Sequence, residues 1–217
     1  MSLMDAIGRR TAEILLDIEA VAFRPKDPFT HSSGRVSPSY IDCRRIISFP
    51  KERAEITSMA IERLQADIGG LPFDAVAGGE TAGIPFAAWI ADATGLAMLY
   101  VRKQPKGFGR MAQIEGEMAP GTRVLLVEDL ATDGGSKQVF IEAIRAAEGT
   151  IERVFVVFHY GIFAASTENL ARLGVSLSAL ATWWDVLAVA RERASFSEAE
   201  LDSVEAYLTA PLEWQPL

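Results

Sequence analysis

Two adjacent acids, Glu128 and Asp129, follow the apolar run Val124 to Val127 and precede a turn composed of Leu130, Ala131, Thr132, Asp133, Gly134, Gly135 and Ser136. A short, wholly apolar run reads as a buried strand, and the acids stand where it emerges at its carboxyl end. The turn that follows offers an anion three kinds of donor: backbone N–H groups freed by the glycines, the hydroxyls of Thr132 and Ser136, and the positive end of the following helix. This is a phosphate cradle. The paired acids, one turn earlier, are placed to accept hydrogen bonds from vicinal hydroxyls such as those of a ribose. Asp133 must aim outward or toward a cation, since a carboxylate facing the phosphate would be repelled. The spacing is neither Gly-x-x-x-x-Gly-Lys-Ser/Thr nor Gly-x-Gly-x-x-Gly, which sets aside the two commonest nucleotide-binding fingerprints.

A second cluster is cationic. The link from Val101 to Gly116 carries Arg102, Lys103, Lys106 and Arg110 among Gly107, Gly109 and Gly116. Glycines lower the cost of an extended, movable loop, and four cations repel one another unless an anion comes between them. A lid awaiting a polyanion is the economical reading. Two further segments are rich in small and polar residues, Phe29-Thr-His-Ser-Ser-Gly-Arg35 and Gly78-Gly-Glu-Thr-Ala-Gly-Ile-Pro85.

The elements around these segments read as a crossover fold. Apolar residues at helical spacing predict an amphipathic helix over Ala6–Ala22. Loop, turn and short strand are predicted through Asp27–Arg45, and Pro50 opens a second helix over Lys51–Ile68. Strand then alternates with helix: Phe73–Ala77, Ile84–Thr94, Ala97–Val101, Arg123–Val127, a polar loop over Glu128–Ser136, Lys137–Glu148 and Arg153–Phe158. A helix ends at Leu170–Leu173, a last strand is predicted over Val175–Leu180, and Ser197–Leu208 forms a terminal helix in which Ser197 and Glu200 match a capping box. Such alternation predicts an α/β fold with a mainly parallel central sheet and helices on both faces, its ligand beyond the carboxyl ends of the strands. His159 reads as a hydrogen-bonded structural residue. Trp183 and Trp184 read as packing residues, and Cys43 as a small buried one.

Composition narrows the function classes. The chain has 217 residues, a formal net charge of -8 and a sequence pI of about 4.9, so duplex nucleic acid is not an expected partner. One cysteine excludes an internal disulfide framework and a Cys-based zinc cluster, and it fits a reducing compartment. No apolar run approaches a membrane span, and no basic segment leads into an apolar stretch at the start. A cytoplasmic address is expected.

The order apolar strand, acid, Asp, two residues, Thr, x, Gly, x, Ser resembles the 5-phosphoribosyl 1-diphosphate (PRPP) motif of the type I phosphoribosyltransferases. Within that family the chain most resembles the members that act on orotate. Phe29–Arg35, Ser37-Pro38 and Tyr40-Ile-Asp42 resemble their base-binding segment, Gly78–Pro85 their diphosphate loop, and Arg102–Lys106 their catalytic lid. The resemblance runs in family order from about residue 6 to 190.

It implies a single domain over 1–217, with a base-binding hood over about 1–50, a core over about 51–190 and a C-terminal helix over about 191–217. It also implies an Mg2+-dependent pentosyltransferase that joins orotate to PRPP in pyrimidine synthesis. Lys106, Asp129 and Glu128 would be catalytic. PRPP would be held by Arg102, Lys103, Lys106, Gly79, Glu80, Thr81 and the whole stretch from Glu128 through Leu130, Ala131, Thr132, Asp133, Gly134, Gly135 and Ser136. The base would meet Thr132, Tyr40, Ile41 and Tyr160. Magnesium would be held mostly by diphosphate and ribose oxygens, with no dedicated protein ligand, and a homodimer would share each lid with the neighbouring site.

Four positions depart from the better-known bacterial pattern: Ser32 and Ala82 stand at lysine positions, Phe108 at a histidine, and the segment Phe158–Gly161, with Tyr160, where an arginine contacts the orotate carboxylate. Arg35, Arg44 or Arg45 would then supply a cation. The alternatives are a PRPP-dependent transferase for a purine or uracil base and a non-catalytic PRPP- or nucleotide-sensing regulator.

Overall fold

A computed structural model of the chain describes residues 5–30, 34–105, 113–132 and 135–217, with the backbone alone at 135 and 136. Ten strands and seven α-helices are described: α1 (Ala6–Asp17), β1 (Val21–Phe23), β2 (Phe29–Thr30), β3 (Val36–Ser37), β4 (Ser39–Ile41), a 3-10 helix (Cys43–Ser48), α2 (Pro50–Ile68), β5 (Ala75–Gly79), α3 (Gly83–Thr94), β6 (Ala97–Val101), β7 (Ile114–Glu115), β8 (Arg123–Ala131), α4 (Gly135–Ala146), β9 (Thr150–His159), α5 (Ala165–Arg172), β10 (Ser176–Thr182), α6 (Trp183–Arg193) and α7 (Glu198–Thr209). The central sheet has the order β10-β9-β8-β5-β6-β7 and is parallel except for β7, which runs antiparallel to β6. Chain order reverses between β5 and β8, the kind of switch point at which an open α/β sheet binds ligand.

The core lies on both faces of this sheet. On one, Val76, Leu125, Val127, Phe155 and Val157 pack with α1, α2, α3, α6 and α7. On the other, Ala77, Leu99, Leu126, Val154 and Val156 pack with Phe140, Ile141 and Ile144 of α4 and Leu170 of α5. Runs such as Val124–Val127 are buried at every position because helices cover both faces. Trp183 is fully buried, its ring edge-on to Phe158 at 5.1 Å and to Tyr160 at 5.6 Å, whereas Trp184 is 39% exposed.

Four elements differ from the sequence prediction. The first helix stops at Asp17 rather than continuing to Ala22, because Glu19 adopts a left-handed backbone (φ 55°) and Val21–Phe23 pairs with Ser39–Ile41. The predicted loop over Glu128–Ser136 begins four residues late: β8 continues to Ala131, its ladder with β9 pairing Glu128 with Val156, Leu130 with Phe158 and Ala131 with His159. The helix over Trp183–Arg193 was not predicted; a Thr182–Asp185 capping box starts it. The link Val101–Gly116 holds a short strand, Ile114–Glu115, that returns along β6.

Candidate active site at the carboxyl ends of the strands

The acid pair is positioned by β8. Adjacent residues of a strand point to opposite faces, yet Glu128 and Asp129 both line one cleft of about 570 Å3, because the pairing of β8 with β5 stops at Val127 and leaves that edge open while the ladder to β9 continues. Each residue is only 8% exposed. Glu128 lies beside β5 and α3, where two glycines make room for it. A Cβ on Gly79 would stand 1.8 Å from Glu128 Oε1, and one on Gly83 would stand 2.2 Å from the carbonyl oxygen of Val127. Any side chain at either position would displace the carboxylate or the strand that carries it. Asp129 lies on the other side, near Cys43 and Arg44, and its Oδ1 accepts the Leu130 N–H at 2.9 Å.

Burial dominates the electrostatics of the pair. It pushes the Glu128 carboxyl up to about 8, with Lys137 and Lys103 pulling the other way and Asp129 adding to the rise. Asp129 is raised for the same first cause, opposed by its bond from the Leu130 N–H and by Lys137. Glu128 Oε1 is buried without a hydrogen-bond partner among the described residues. An orphaned buried oxygen carries a desolvation cost of about 1–3 kcal/mol, so the site is built to receive a donor or a cation.

The rest of the cleft comes from three segments. Glu80, Thr81 and Ala82 form the β5–α3 loop, Ile84 and Pro85 lie in the first turn of α3, Lys103 stands at the base of the predicted lid, and Arg44 and Ile47 come from the 3-10 helix. The loop is tied to the lid base: the Glu80 N–H donates to the Val101 carbonyl (2.9 Å), and the Lys103 N–H donates to Glu80 Oε2 (2.8 Å). Arg102 donates from its backbone to the Gln113 carbonyl at 2.7 Å and forms an ion pair with Glu115 at 3.5 Å. The strand pair β6–β7 thus anchors both ends of the link that bears the cations.

The turn expected to seat a phosphate is described at its two ends. Ala131 closes β8, its carbonyl accepting the Tyr160 N–H at 2.9 Å, and the backbone of Gly135 and Ser136 begins α4. Thr132 is half-buried between them. Asp133 and Gly134 lie outside the described residues, as do His31, Ser32, Lys106, Phe108 and Arg110.

Of the residues expected at the base, Tyr40 is 36% exposed with its ring 5.3 Å from Phe29, while the Ile41 and Tyr160 side chains are buried in the core. Burial, with smaller contributions from Asp129 and Tyr40 among others, raises the Tyr160 phenol. His159 has its Nε2 2.8 Å from Ser166 Oγ, a bonded structural histidine whose pKa burial lowers.

Sequence reasoning missed Lys137. It is 3% exposed in the first turn of α4 and reaches back to donate from Nζ to the Leu130 carbonyl at 2.8 Å. A buried lysine next to two buried acids supplies the countercharge that such acids need. Its position directly after Ser136 was the available signal, but a lysine in a first helical turn ordinarily reads as solvated.

The donor set suits a small hard cation. Mg2+ takes one or two carboxylates together with substrate phosphates rather than an all-protein cage. Glu128 and Asp129 supply that many, and no cluster of three or more His, Cys, Asp or Glu able to hold a metal occurs among the described residues. No helix among those residues is long and apolar enough to cross a membrane.

Comparison with known proteins gives a consistent result. No protein-family model matches the chain. It is 54% identical over 209 residues to an orotate phosphoribosyltransferase of Roseobacter denitrificans, covering 96% of this chain and 93% of the relative. Among solved structures it resembles the orotate phosphoribosyltransferase of Aeropyrum pernix with a TM-score of 0.72 at 32% identity, over 86% of this chain and 99% of that one. It also resembles the Mycobacterium tuberculosis H37Rv enzyme in complex with PRPP, with a TM-score of 0.64 at 26% identity, over 83% of this chain and 98% of that one.

Proposed function

The chain belongs to the orotate phosphoribosyltransferases, and from that premise we propose that it joins orotate to PRPP, giving orotidine 5'-monophosphate and diphosphate in pyrimidine synthesis. The observation that carries this reading is the buried pair Glu128 and Asp129 at the open end of β8, in one cleft with the Glu80–Pro85 loop and Lys103.

The chemistry follows from the charges. As the bond from ribose C1 to the diphosphate oxygen breaks, an oxocarbenium-like centre develops, and a ring nitrogen of the base attacks the opposite face, with inversion. Glu128 and Asp129 accept the ribose hydroxyls and, as anions, favour the cationic ring. Glu128 is held protonated by burial in the free protein; cationic neighbours that close over it favour its ionised form. Thr132 and the amino end of α4 at Gly135 and Ser136 seat the 5'-phosphate. Arg102, Lys103 and Lys106 neutralise the departing diphosphate, in a site where water exclusion strengthens each charge. Glu128 and Asp129 would be the carboxylates at hand for a bound magnesium ion, which would supply positive charge against the leaving group. Tyr40, at the exposed edge of the β1–β4 ribbon, offers its ring to the base. The protein's part is positioning and electrostatics more than proton transfer.

We also infer a cytoplasmic homodimer in which the lid of one subunit serves the site of the other. Mixing a lid variant with an acid-pair variant, each inactive alone, restores activity under this arrangement; no recovery after verified subunit exchange counts against it. The base is tested by supplying purified protein with PRPP, magnesium and, separately, orotate, uracil and a purine base. Consumption of orotate alone is expected. Consumption of another base reassigns the substrate, and PRPP binding with no turnover favours a sensing role.

A further inference from the structure

The cleft is poorly furnished with cations for a ligand as charged as diphosphate. Glu80, Glu128 and Asp129 line it, Ala82 contributes no charge at the middle of the β5–α3 loop, and Lys103 and Arg44 are the cations lining it among the described residues. Arg44 differs from its neighbours in how it is held. Its Nε donates to Asp42 Oδ1 at 2.8 Å, and Asp42 Oδ1 also accepts the Arg44 backbone N–H at 3.2 Å. One edge of the guanidinium is thereby fixed, and its two terminal nitrogens have no partner among the described residues. The side chain is 57% exposed on the cleft wall.

Arg45, by contrast, donates from Nε to the Ile18 carbonyl at 2.8 Å and lies 3.8 Å from Glu19. The Arg35 guanidinium stacks on the Phe163 ring, 4.3 Å from its centroid. Neither lines the cleft. The cleft also excludes the four residues expected at the base, Tyr40, Ile41, Thr132 and Tyr160, and includes the loop Glu80–Pro85 expected at the diphosphate. Arg44 therefore shares a wall with the segment expected at the diphosphate, with Tyr40 and Asp129 near enough to act on its charge.

We propose that Arg44 is a binding residue for the diphosphate of PRPP, its two terminal nitrogens taking phosphate oxygens beside Thr81 and Ala82. A planar fork with two parallel donors matches phosphate better than a lysine does. Anchoring by Asp42 reduces the side-chain entropy lost on binding. The inference rests on the reading of the site as a PRPP site and adds which residue carries the charge where the loop has none.

The test uses two ligands that share the ribose 5-phosphate and differ at C1. PRPP carries diphosphate there, and orotidine 5'-monophosphate carries the base with its carboxylate. Equilibrium binding of each to the full-length protein in magnesium buffer is measured for the wild type, Arg44→Gln and Arg44→Lys. Loss of a charge-assisted pair is expected to weaken PRPP binding about tenfold to a hundredfold in Arg44→Gln, with orotidine 5'-monophosphate within about twofold of wild type. Arg44→Lys, which keeps the charge but not the fork, is expected to recover part of the loss.

Unchanged PRPP binding in Arg44→Gln overturns the proposal. An equal loss for both ligands also overturns it, placing Arg44 behind Asp129 and the ribose, and a loss for the nucleotide alone places it on the carboxylate of the base. A wild-type protein that binds neither ligand removes the PRPP site itself, an outcome distinct from failure of the Arg44 assignment.

Discussion

Glu128 tests how the site is charged before substrate arrives. It is 8% exposed, its Oε1 lacks a partner among the described residues, and burial lifts its pKa from 4.5 to about 8. In the unfolded chain the carboxyl ionises near its ordinary value, whereas in the folded, unliganded protein it keeps its proton until about pH 8. The native state therefore binds more protons than the unfolded state across this window, and stability falls as pH rises. The stabilisation is whole below pH 4.5 and gone above about pH 8. At about 1.4 kcal/mol for each pH unit between those limits, the loss comes to about 5 kcal/mol. Glu128→Gln, neutral at every pH, removes this loss with rising pH. Urea unfolding of both proteins without ligand, from pH 5 to 9, should show the wild type losing stability and the variant following a flatter profile. The two should agree near pH 5, with the variant the more stable at pH 8.5. The raised Asp129 leaves a residual slope of the same sign in both. Parallel profiles would refute the claim that the fold holds Glu128 neutral.

Asp129→Asn is expected to cut PRPP turnover by about a hundredfold or more while leaving circular dichroism and unfolding temperature near wild type; unchanged turnover would remove it from the site. Gly79→Ala places a methyl group where Glu128 Oε1 now stands, so it should cost about 1–3 kcal/mol of stability and nearly abolish turnover, whereas Gly69→Ala, at the left-handed end of α2 (φ 72°) with nothing within 4 Å of the added carbon, should cost about 1–2 kcal/mol of stability and leave turnover intact. Lys106→Ala should lower kcat by about a hundredfold with a smaller effect on PRPP affinity, and an equal loss in both, measured by single-turnover and binding experiments, would assign the lysine to ground-state anchoring.

The parts legible in the sequence are those where local pattern and tertiary setting agree. Val124–Val127 reads as a buried strand because it is covered on both faces, and Pro50, Gly95 and Ser197 mark helix ends by their own backbone and capping chemistry. The acid pair stands out in the sequence for the same reason, since few roles suit two carboxylates after an apolar run, and the fold brings both to one cleft. Misreadings came where a distant partner decides. Glu128–Ala131 is polar enough to pass for loop, yet the ladder with β9 holds it in the sheet. Val21–Phe23 continues a helical spacing but finds a strand partner twenty residues away. The helix that Trp183 begins is a different case, since its Thr182–Asp185 cap is local and legible in the same way as Ser197–Glu200. Lys137 is marked in sequence only by its place after Ser136, and Arg44 only as one of three arginines able to supply a cation; their place beside the acids is a product of packing.

The central claim is that the turn after β8 seats a sugar phosphate with Glu128 and Asp129 beneath the sugar. A crystal structure of the protein with PRPP and magnesium measures this directly. The 5'-phosphate is expected at Thr132–Ser136 and the ribose hydroxyls within hydrogen-bond distance of both carboxylates. PRPP bound elsewhere, or the two carboxylates turned into the protein interior in the complex, would contradict it.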